Sequence, residues 1–432
     1  MIRGQIYKKK ISTMKMMEWA KKLFPINRSI TGEGLRKTIC FIQKNINSNF
    51  KLKKARSNTK VFDWKIPKEW KINAAYIKDE NDNKICDIKS NNLHLLGYST
   101  KINKKMKLSE LKKKINFIKN KPNSLPYYTS YYQKNWGFSL EYNKFKNLNK
   151  KKFYKVLVDS KHFKGEMNYT ELLIKGKSKK EIMIMSYICH PSMANNELSG
   201  PLIIMALSKI LKPQKYSVRL LLVPETIGAI NFIKKNFKNL KKNLIAGFNL
   251  TCIGDKGPFT LISSKEENTY ADKVAFRVLG KTKNFKKLSF LNRGSNERQF
   301  GCQNLNLPFV TICRTKFGDF KEYHTSDDNL KIINEKNLKK SLNMILKIIQ
   351  EIQNNKIFIK KIYCEPFFTK YKLVRKIRGK QNLFERDISN ITAYADKNSD
   401  LKDLAIKLNI NSNKLNEKIK ILQKHSILKE YI

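Results

Sequence analysis

The spacing of apolar positions changes character along the chain. In residues 14–24 and 32–46 they recur every three to four positions, which predicts two amphipathic helices. The turn-rich NRSITGEG joins them, and its Ser29, Thr31 and glycines offer caps and an anion nest. Between about Lys53 and Asn143 the pattern breaks into short alternating runs, KVFDW, AAYIK, KICDIK and LHLLGY, separated by many turn residues. That alternation predicts a mainly β module. Its aromatic cluster, Tyr127, Tyr128, Tyr131, Tyr132 and Trp136, is read chiefly as core, because aromatics dominate burial, with a ligand groove as the alternative.

From residue 150 onward the runs become continuously apolar: FYKVLVDS, TELLIKG, EIMIMSYI, VRLLLVPE, LIAGFNLTCIGD and LPFVTICRT, with helical stretches at 198–211 and 229–238 between several of them. Strands of this kind alternating with helices predict an α/β fold, a mixed but mostly parallel sheet with helices on both faces. A helix over about 335–354 closes the unit. After the basic segment KYKLVRKIRGK come three more helical patterns, ERDISNITAYADK, DLKDLAIKLNI and NSNKLNEKIKILQKHSILKE. Leu401, Leu404, Ala405 and Leu408 are spaced for one buried face, and the short turn at 409–413 gives a helix-turn-helix rhythm.

At 432 residues the chain predicts two or three folding units, at roughly 150 residues each. No apolar stretch is long enough to cross a bilayer. The N-terminus is positively charged but lacks an apolar h-region and a small-residue cleavage site, so a cytoplasmic protein is expected. Seven cysteines, at 40, 86, 189, 252, 302, 313 and 364, form no CxxC pair. They read as buried free thiols and not as a disulfide framework or a zinc ribbon. The formal net charge of +54 would ordinarily point to nucleic acid. Here the lysines are spread along the whole length and far outnumber arginines, in a chain also rich in Asn, Ile and Phe, as an AT-rich coding sequence produces. Nucleic acid is therefore not expected as the main partner, although weak, salt-sensitive adhesion to polyanions is.

Polar residues gather at the predicted strand ends. EIMIMSYI runs into Cys189, His190 and Pro191 and the loop SMANNELSG; LLLVP ends in Glu225; FNLTCIG ends in Asp255; the loop after LPFVTICRT carries Glu322, Tyr323, His324, Thr325, Ser326, Asp327 and Asp328. Singly, His190 reads as a loop cap, Glu225 as a helix cap and His324 as a surface residue. Sharing one sheet edge, they make the arrangement a hydrolytic metal site needs: two imidazoles, an oxygen ligand, an open position for water and a carboxylate base. Cys189 beside His190 invites a cysteine nucleophile, but neighbours on a strand point to opposite faces, which argues against that dyad.

The segments LFPINRSITGEGLR, KVFDWKIPKEW, TSYYQKNWGFSL, YICHPSMANNELSG, VPETIGAI, LTCIGDKGPF, NERQF and FGDFKEYHTSDDNL resemble, in the same order, the aminopeptidase-like family encoded near bacterial surface-polysaccharide biosynthesis genes, a distant branch of the co-catalytic zinc aminopeptidases. The resemblance implies a phosphorylase/hydrolase-like peptidase sheet over 1–54 and 146–365, an inserted β-rich domain over 55–145 and a C-terminal winged helix over 366–432. It implies His190 and His324 as metal ligands and Glu225, first residue of an EExG-like motif, as general base. Thr226 stands where that motif has a ligand carboxylate, and Thr251 where NLDMxG has an aspartate. The family's ANDNLSG is here Ala194, Asn195, Asn196, Glu197, Leu198, Ser199, Gly200. Missing carboxylates imply one zinc ion, or none, in place of two, with Asn196 or Glu197 as the oxygen ligand, an asparagine carbonyl being the poorer.

The expected activity is metal-assisted hydrolysis of an amide in a small aminoacyl or peptide substrate, with Glu297 or Glu322 receiving its ammonium group. An amino-sugar or aminoacylated glycan precursor is one source of such an amide. Two alternatives remain: a catalytically degenerate peptidase fold with a binding or regulatory role, favoured by Asn196, Thr226 and Thr251, and a DNA-binding regulator in which Asn411, Asn413 and Asn416 face adenine edges. A homo-oligomer through the inserted module is left open by the sequence.

Overall fold

A computed structural model describes residues 10–212, 215–374 and 382–431. The first nine positions of the basic N-terminus and the second half of KYKLVRKIRGK lie outside the described residues. Helix α1 (Met16–Leu23) and helix α2 (Glu33–Asn45) bury the apolar stripe that their spacing predicts: Met16, Ala20 and Leu23 in one, Leu35, Ile39 and Ile42 in the other.

Strands β1 (Lys51–Arg56), β2 (Glu69–Lys78), β3 (Lys84–Asp87), β4 (Ile102–Lys107) and β5 (Phe153–Phe163) follow. The last four form an antiparallel sheet in the order β3–β2–β5–β4. β5 thus belongs to this smaller sheet and not to the large one in which its apolar run suggested it. The reason is its alternation: Tyr154, Val156, Val158 and Ser160 are buried while Phe153, Lys155 and Lys161 are exposed, as in a strand covered on one face only.

The rest of the α/β unit is β6 (Glu166–Ile174), β7 (Ser178–Tyr187), α3 (Ser199–Ile210), β8 (Tyr216–Val223), α4 (Ile227–Asn243), β9 (Leu244–Leu250), β10 (Thr260–Ile262), α5 (Tyr270–Leu279), β11 (Lys286–Leu288), β12 (Phe309–Cys313) and α6 (Glu335–Asn354). With β1 these strands form one mixed eight-stranded sheet, β1–β6–β8–β7–β9–β12–β10–β11. Its centre, β8, β7, β9 and β12, is parallel. Every residue of β8 and β9 is buried, which explains their unbroken apolar runs. Alternate residues serve opposite layers. Ile182, Ile184, Leu220 and Leu222 pack with α1, α2, α3, α5 and α6, whereas Met183, Met185, Leu221 and Val223 pack on Ala229, Phe232 and Ile233 of α4. Each such side chain contributes about 1.5–3 kcal/mol by leaving water.

Beyond α6, strand β13 (Phe358–Lys360) pairs antiparallel with β14 (Leu428–Glu430) and encloses helices α7 (Leu383–Tyr394), α8 (Leu401–Leu408) and α9 (Ser412–Lys424) around Ile388, Ile391, Leu404, Leu415, Ile419 and Leu422. Among the described residues no helix is long and apolar enough to cross a membrane. Because β7, β8, β9 and β12 are parallel, their carboxyl ends lie on one edge, the side on which open α/β sheets hold ligands.

Candidate active site

Four chain segments leave that edge. Ile188 to His190 follow β7, and the π-helical turn Ala194–Leu198 leads into α3; Pro224 to Thr226 follow β8; Thr251 to Asp255 follow β9; the loop to His324 follows β12. Ser192, Thr226, Cys252 and His324 all have positive φ, between 46° and 62°. Such backbone costs about 1–3 kcal/mol per residue and concentrates where side chains must be aimed.

His190 is the centre of the site. Its Nδ1 lies 2.9 Å from Glu197 Oε2, and since a carboxylate can only accept, Nδ1 carries the proton and Nε2 faces the opening. Glu225 Oε2 stands 3.7 Å from that Nε2, while Glu225 Oε1 accepts from Ser295 Oγ at 2.8 Å. Burial pushes the Glu225 carboxyl up, against the pull of His190, Ser295 and Arg298. Burial likewise opposes charge on His190, but Cys189 and Glu197 outweigh it and hold its pKa well above the imidazole range.

The argument against a Cys189–His190 contact is corrected by the structure. Both residues lie past the end of β7, where strand alternation no longer applies, and Cys189 Sγ sits 3.5 Å from His190 Nδ1. The thiol is fully buried, burial raises its pKa, and it accepts the Glu225 backbone N–H at 3.2 Å. A thiol so held is a weak nucleophile.

Glu197 is buried behind His190, and its Oε1 lies 3.5 Å from Arg28 Nε, in a pair with no side-chain exposure at either end. Arg28 also donates to the carbonyls of His190, at 3.1 Å, and Leu23, at 2.6 Å. Glu197 Oε1 and Arg28 Nη2 have no hydrogen-bond partner. His324 brings its ring centroid within 5.7 Å of that of His190 and stacks on Tyr323 at 3.9 Å. Burial and then the neighbouring His190 lower its pKa to about 3, so this imidazole is neutral. The segment between β4 and β5 supplies Tyr127, whose ring lies 5.2 Å from both histidines and whose backbone N–H donates to the His324 carbonyl at 2.9 Å.

Asn196 and Thr251 meet at a tyrosine. The Tyr187 hydroxyl is 3.1 Å from Asn196 Oδ1 and 2.6 Å from Thr251 Oγ1. Glu297 is also buried, its Oε1 accepting from the backbone of Gly294 and Ser295 and its Oε2 from Thr311 Oγ1. It shapes the turn that presents Ser295 to Glu225. Glu322 is partly exposed on the loop before His324, with Lys321 Nζ at 4.0 Å. A pocket of about 240 Å³ opens over His190 and Glu225, walled by Trp64, Tyr131, Tyr132 and Arg298.

Among the described residues Cys189, His190 and Glu197 hold ligand atoms within 4.8 Å of one another, and these donors, with His324, are of the types zinc takes. Donors of these types fit a metal ion; nearby, Asn196 and Thr251 offer an amide and a hydroxyl bonded to Tyr187, weaker donors than carboxylates. Sequence reasoning missed Arg28, Tyr187, Ser295 and the part played by Tyr127. Arg28 had a signal: in a lysine-rich chain, an arginine on a turn marks a site wanting several directed donors. Tyr187 had none, standing within an apolar run.

Residues 17–355 match a family described as a domain of unknown function, DUF4910. A protein of Clostridium acetobutylicum, provisionally named a polysaccharide biosynthesis protein with aminopeptidase-like domain, is 40% identical over 365 residues, 83% of this chain and 82% of its own length. A crystal structure from the same organism, described provisionally as a peptidase, matches with a TM-score of 0.80 at 37% identity and covers 99% of each chain. The zinc aminopeptidase BSAP of Bacillus subtilis shares the fold alone, with a TM-score of 0.56 at 13% identity over 80% of this chain and 94% of its own. With that family matched across most of its length, the chain belongs to DUF4910 and carries an aminopeptidase-like α/β domain.

Proposed function

We propose that the protein is a metal-dependent hydrolase of a small aminoacyl or peptide amide, acting in polysaccharide metabolism. The observation that carries this reading is the approach of Glu225 Oε2 to 3.7 Å from His190 Nε2 at the floor of an open pocket, with the neutral His324 beside them. His190 through Nε2, together with His324, would hold one zinc ion, which supplies Lewis-acid activation of the amide carbonyl. The Nδ1 side of His190 suits an ion less well, because its proton faces Glu197 and Arg28 lies just behind. In this reading Glu197 serves the metal through His190, and Asn196, turned to Tyr187, is not needed as a ligand. Glu225 takes the proton of the attacking water and returns it to the departing amine as the C–N bond breaks. In this reading Glu322, the partly exposed one of the two glutamates, receives the substrate ammonium, Glu297 being enclosed.

A second reading, a binding protein of the same fold without metal, is favoured by the neutral Tyr187–Asn196–Thr251 cluster. Metal analysis of tag-free protein supplied with zinc separates the two. About one zinc per chain is expected in the wild type and in Glu225→Gln, and none in His190→Ala, while turnover of aminoacyl amides falls ~10²-fold or more in Glu225→Gln. A wild type that takes up no zinc and turns over nothing leaves the binding protein standing. The division into an interrupted peptidase domain, an insert and a winged helix, an intracellular location and any self-association belong to the same proposal.

A further inference from the structure

The mouth of the pocket is aromatic in a way that packing does not explain. Trp64 is 39% exposed and Tyr132 is 52% exposed, their rings meet edge to face at 5.5 Å, and both line the cavity that ends at His190 and Glu225. Neither belongs to the core of the insert. Both are nonetheless held in place. Trp64 sits on a two-residue antiparallel ladder with Val61, tied to α4 by Lys234 Nζ on the Lys60 carbonyl at 2.6 Å, and the Tyr132 hydroxyl donates to the Lys65 carbonyl at 3.2 Å. Between the rim and Glu225 lies Arg298, exposed, with one Nη2 hydrogen bond to Thr226 Oγ1 at 2.7 Å. No acidic residue forms an ion pair with it among the described residues. Its guanidinium lines the pocket, acts on the nearby Glu225 carboxyl, and has N–H donors beyond the one given to Thr226, a donor set that suits a carboxylate or phosphate.

We propose that this mouth is a subsite for an anionic pyranose, whose C–H face lies on Trp64 and Tyr132 and whose charged group meets Arg298. The proposal rests on the reading of His190 and Glu225 as the reacting end of the pocket. A fully apolar ligand would also cover these rings, but it would give the Arg298 guanidinium no partner. A pyranose is different: its ring carbons present an apolar face of aromatic size, while its hydroxyls prefer to stay wet, so a half-exposed ring pair satisfies both. A cavity of about 240 Å³ takes an acyl or aminoacyl amide and leaves the sugar at the rim. The substrate class is thus an amide borne by a negatively charged sugar.

The test is a binding titration followed by ligand-observed NMR, on the full-length zinc-supplied Glu225→Gln protein so that nothing is consumed. The probes are N-acetylglucosamine 1-phosphate, glucuronic acid, N-acetylglucosamine, inorganic phosphate and uridine. An anionic sugar should bind at least ~10-fold tighter than the neutral sugar or phosphate alone, and the two anionic probes show whether the group is phosphate or carboxylate. Trp64→Ala and Tyr132→Ala should each weaken it ~10-fold, Trp64→Phe should restore most of the loss, and Arg298→Gln should abolish the preference for the charged sugar. Equal binding of uridine, or sugar binding untouched by both alanine variants, overturns the subsite. Zinc uptake and amide turnover are measured separately, so a protein that binds the sugar but hydrolyses nothing loses the hydrolase reading and the amide with it, and keeps the sugar subsite.

Discussion

His190 owes its orientation to a residue seven positions away and to another in the loop between α1 and α2. Glu197 fixes the proton on Nδ1, and Arg28 holds both the Glu197 carboxylate and the His190 carbonyl. The pair is buried on all sides, where removal of one partner leaves the other as an uncompensated charge. Glu197→Gln is accordingly expected to lower stability by about 3 kcal/mol in denaturant unfolding, and Arg28→Met added to it should recover much of the loss. A single variant as stable as the wild type would mean that water or a metal already screens the arginine. None of this was legible from the chain. Glu197 was recognised as the carboxylate nearest the missing family aspartate, but spacing alone could not tell a ligand from a side chain that holds the ligand. Asn196 was marked as a departure because its amide is a poor metal ligand, and its partner in the structure, Tyr187, comes from the strand before it.

At the scale of elements, the helices and the central strands were readable because a stripe or an unbroken apolar run states how many faces are covered. The helix expected at 335–354 spans Glu335–Asn354, and Leu404 is the buried residue of α8. β5 misled because the strands that follow it all belong to the large sheet, and only its alternation told against them. Caps carry more than local duty. Asp400 caps α8 through the Lys402 and Asp403 backbone, and it also receives Tyr270 Oη and Arg277 from α5. It therefore ties the C-terminal helices to the α/β unit. Asp400→Ala should cost about 1 kcal/mol for the cap and a further 1–2 kcal/mol for the hydrogen bonds left unmade, with a matching drop in Tm. An unchanged Tm would show that Asp403 and Glu351 suffice to hold Arg277.

Across the whole molecule the site is a composite. Between β4 and β5 the chain brings Leu125 to Tyr127 against the His324 loop, where Leu125 and Ser326 exchange hydrogen bonds of 2.9 Å and the Tyr127 ring reaches both histidines. The charge is a property of the same scale. Positive surface without a base-reading arrangement binds any polyanion through counterion release. Random duplex DNA should accordingly bind at ~50 mM salt and lose about 10³-fold in affinity by ~200 mM, in a fluorescence anisotropy titration. A sequence preference that survived the higher salt would instead give the C-terminal helices a reading role.

By itself the sequence determined the class of fold, the order of its motifs and the sheet edge to which His190, Glu225 and His324 come, because periodicity and strand ends are local and the motifs keep their order. The tertiary structure alone decided that Cys189 touches His190, that Glu197 is braced by Arg28, that Asn196 and Thr251 share Tyr187, and that Tyr127 belongs to the site. Each of these is a side-chain direction set where a strand has ended, or a meeting of residues 60 to 200 positions apart. No local period encodes such contacts; only the closing of the core around them does.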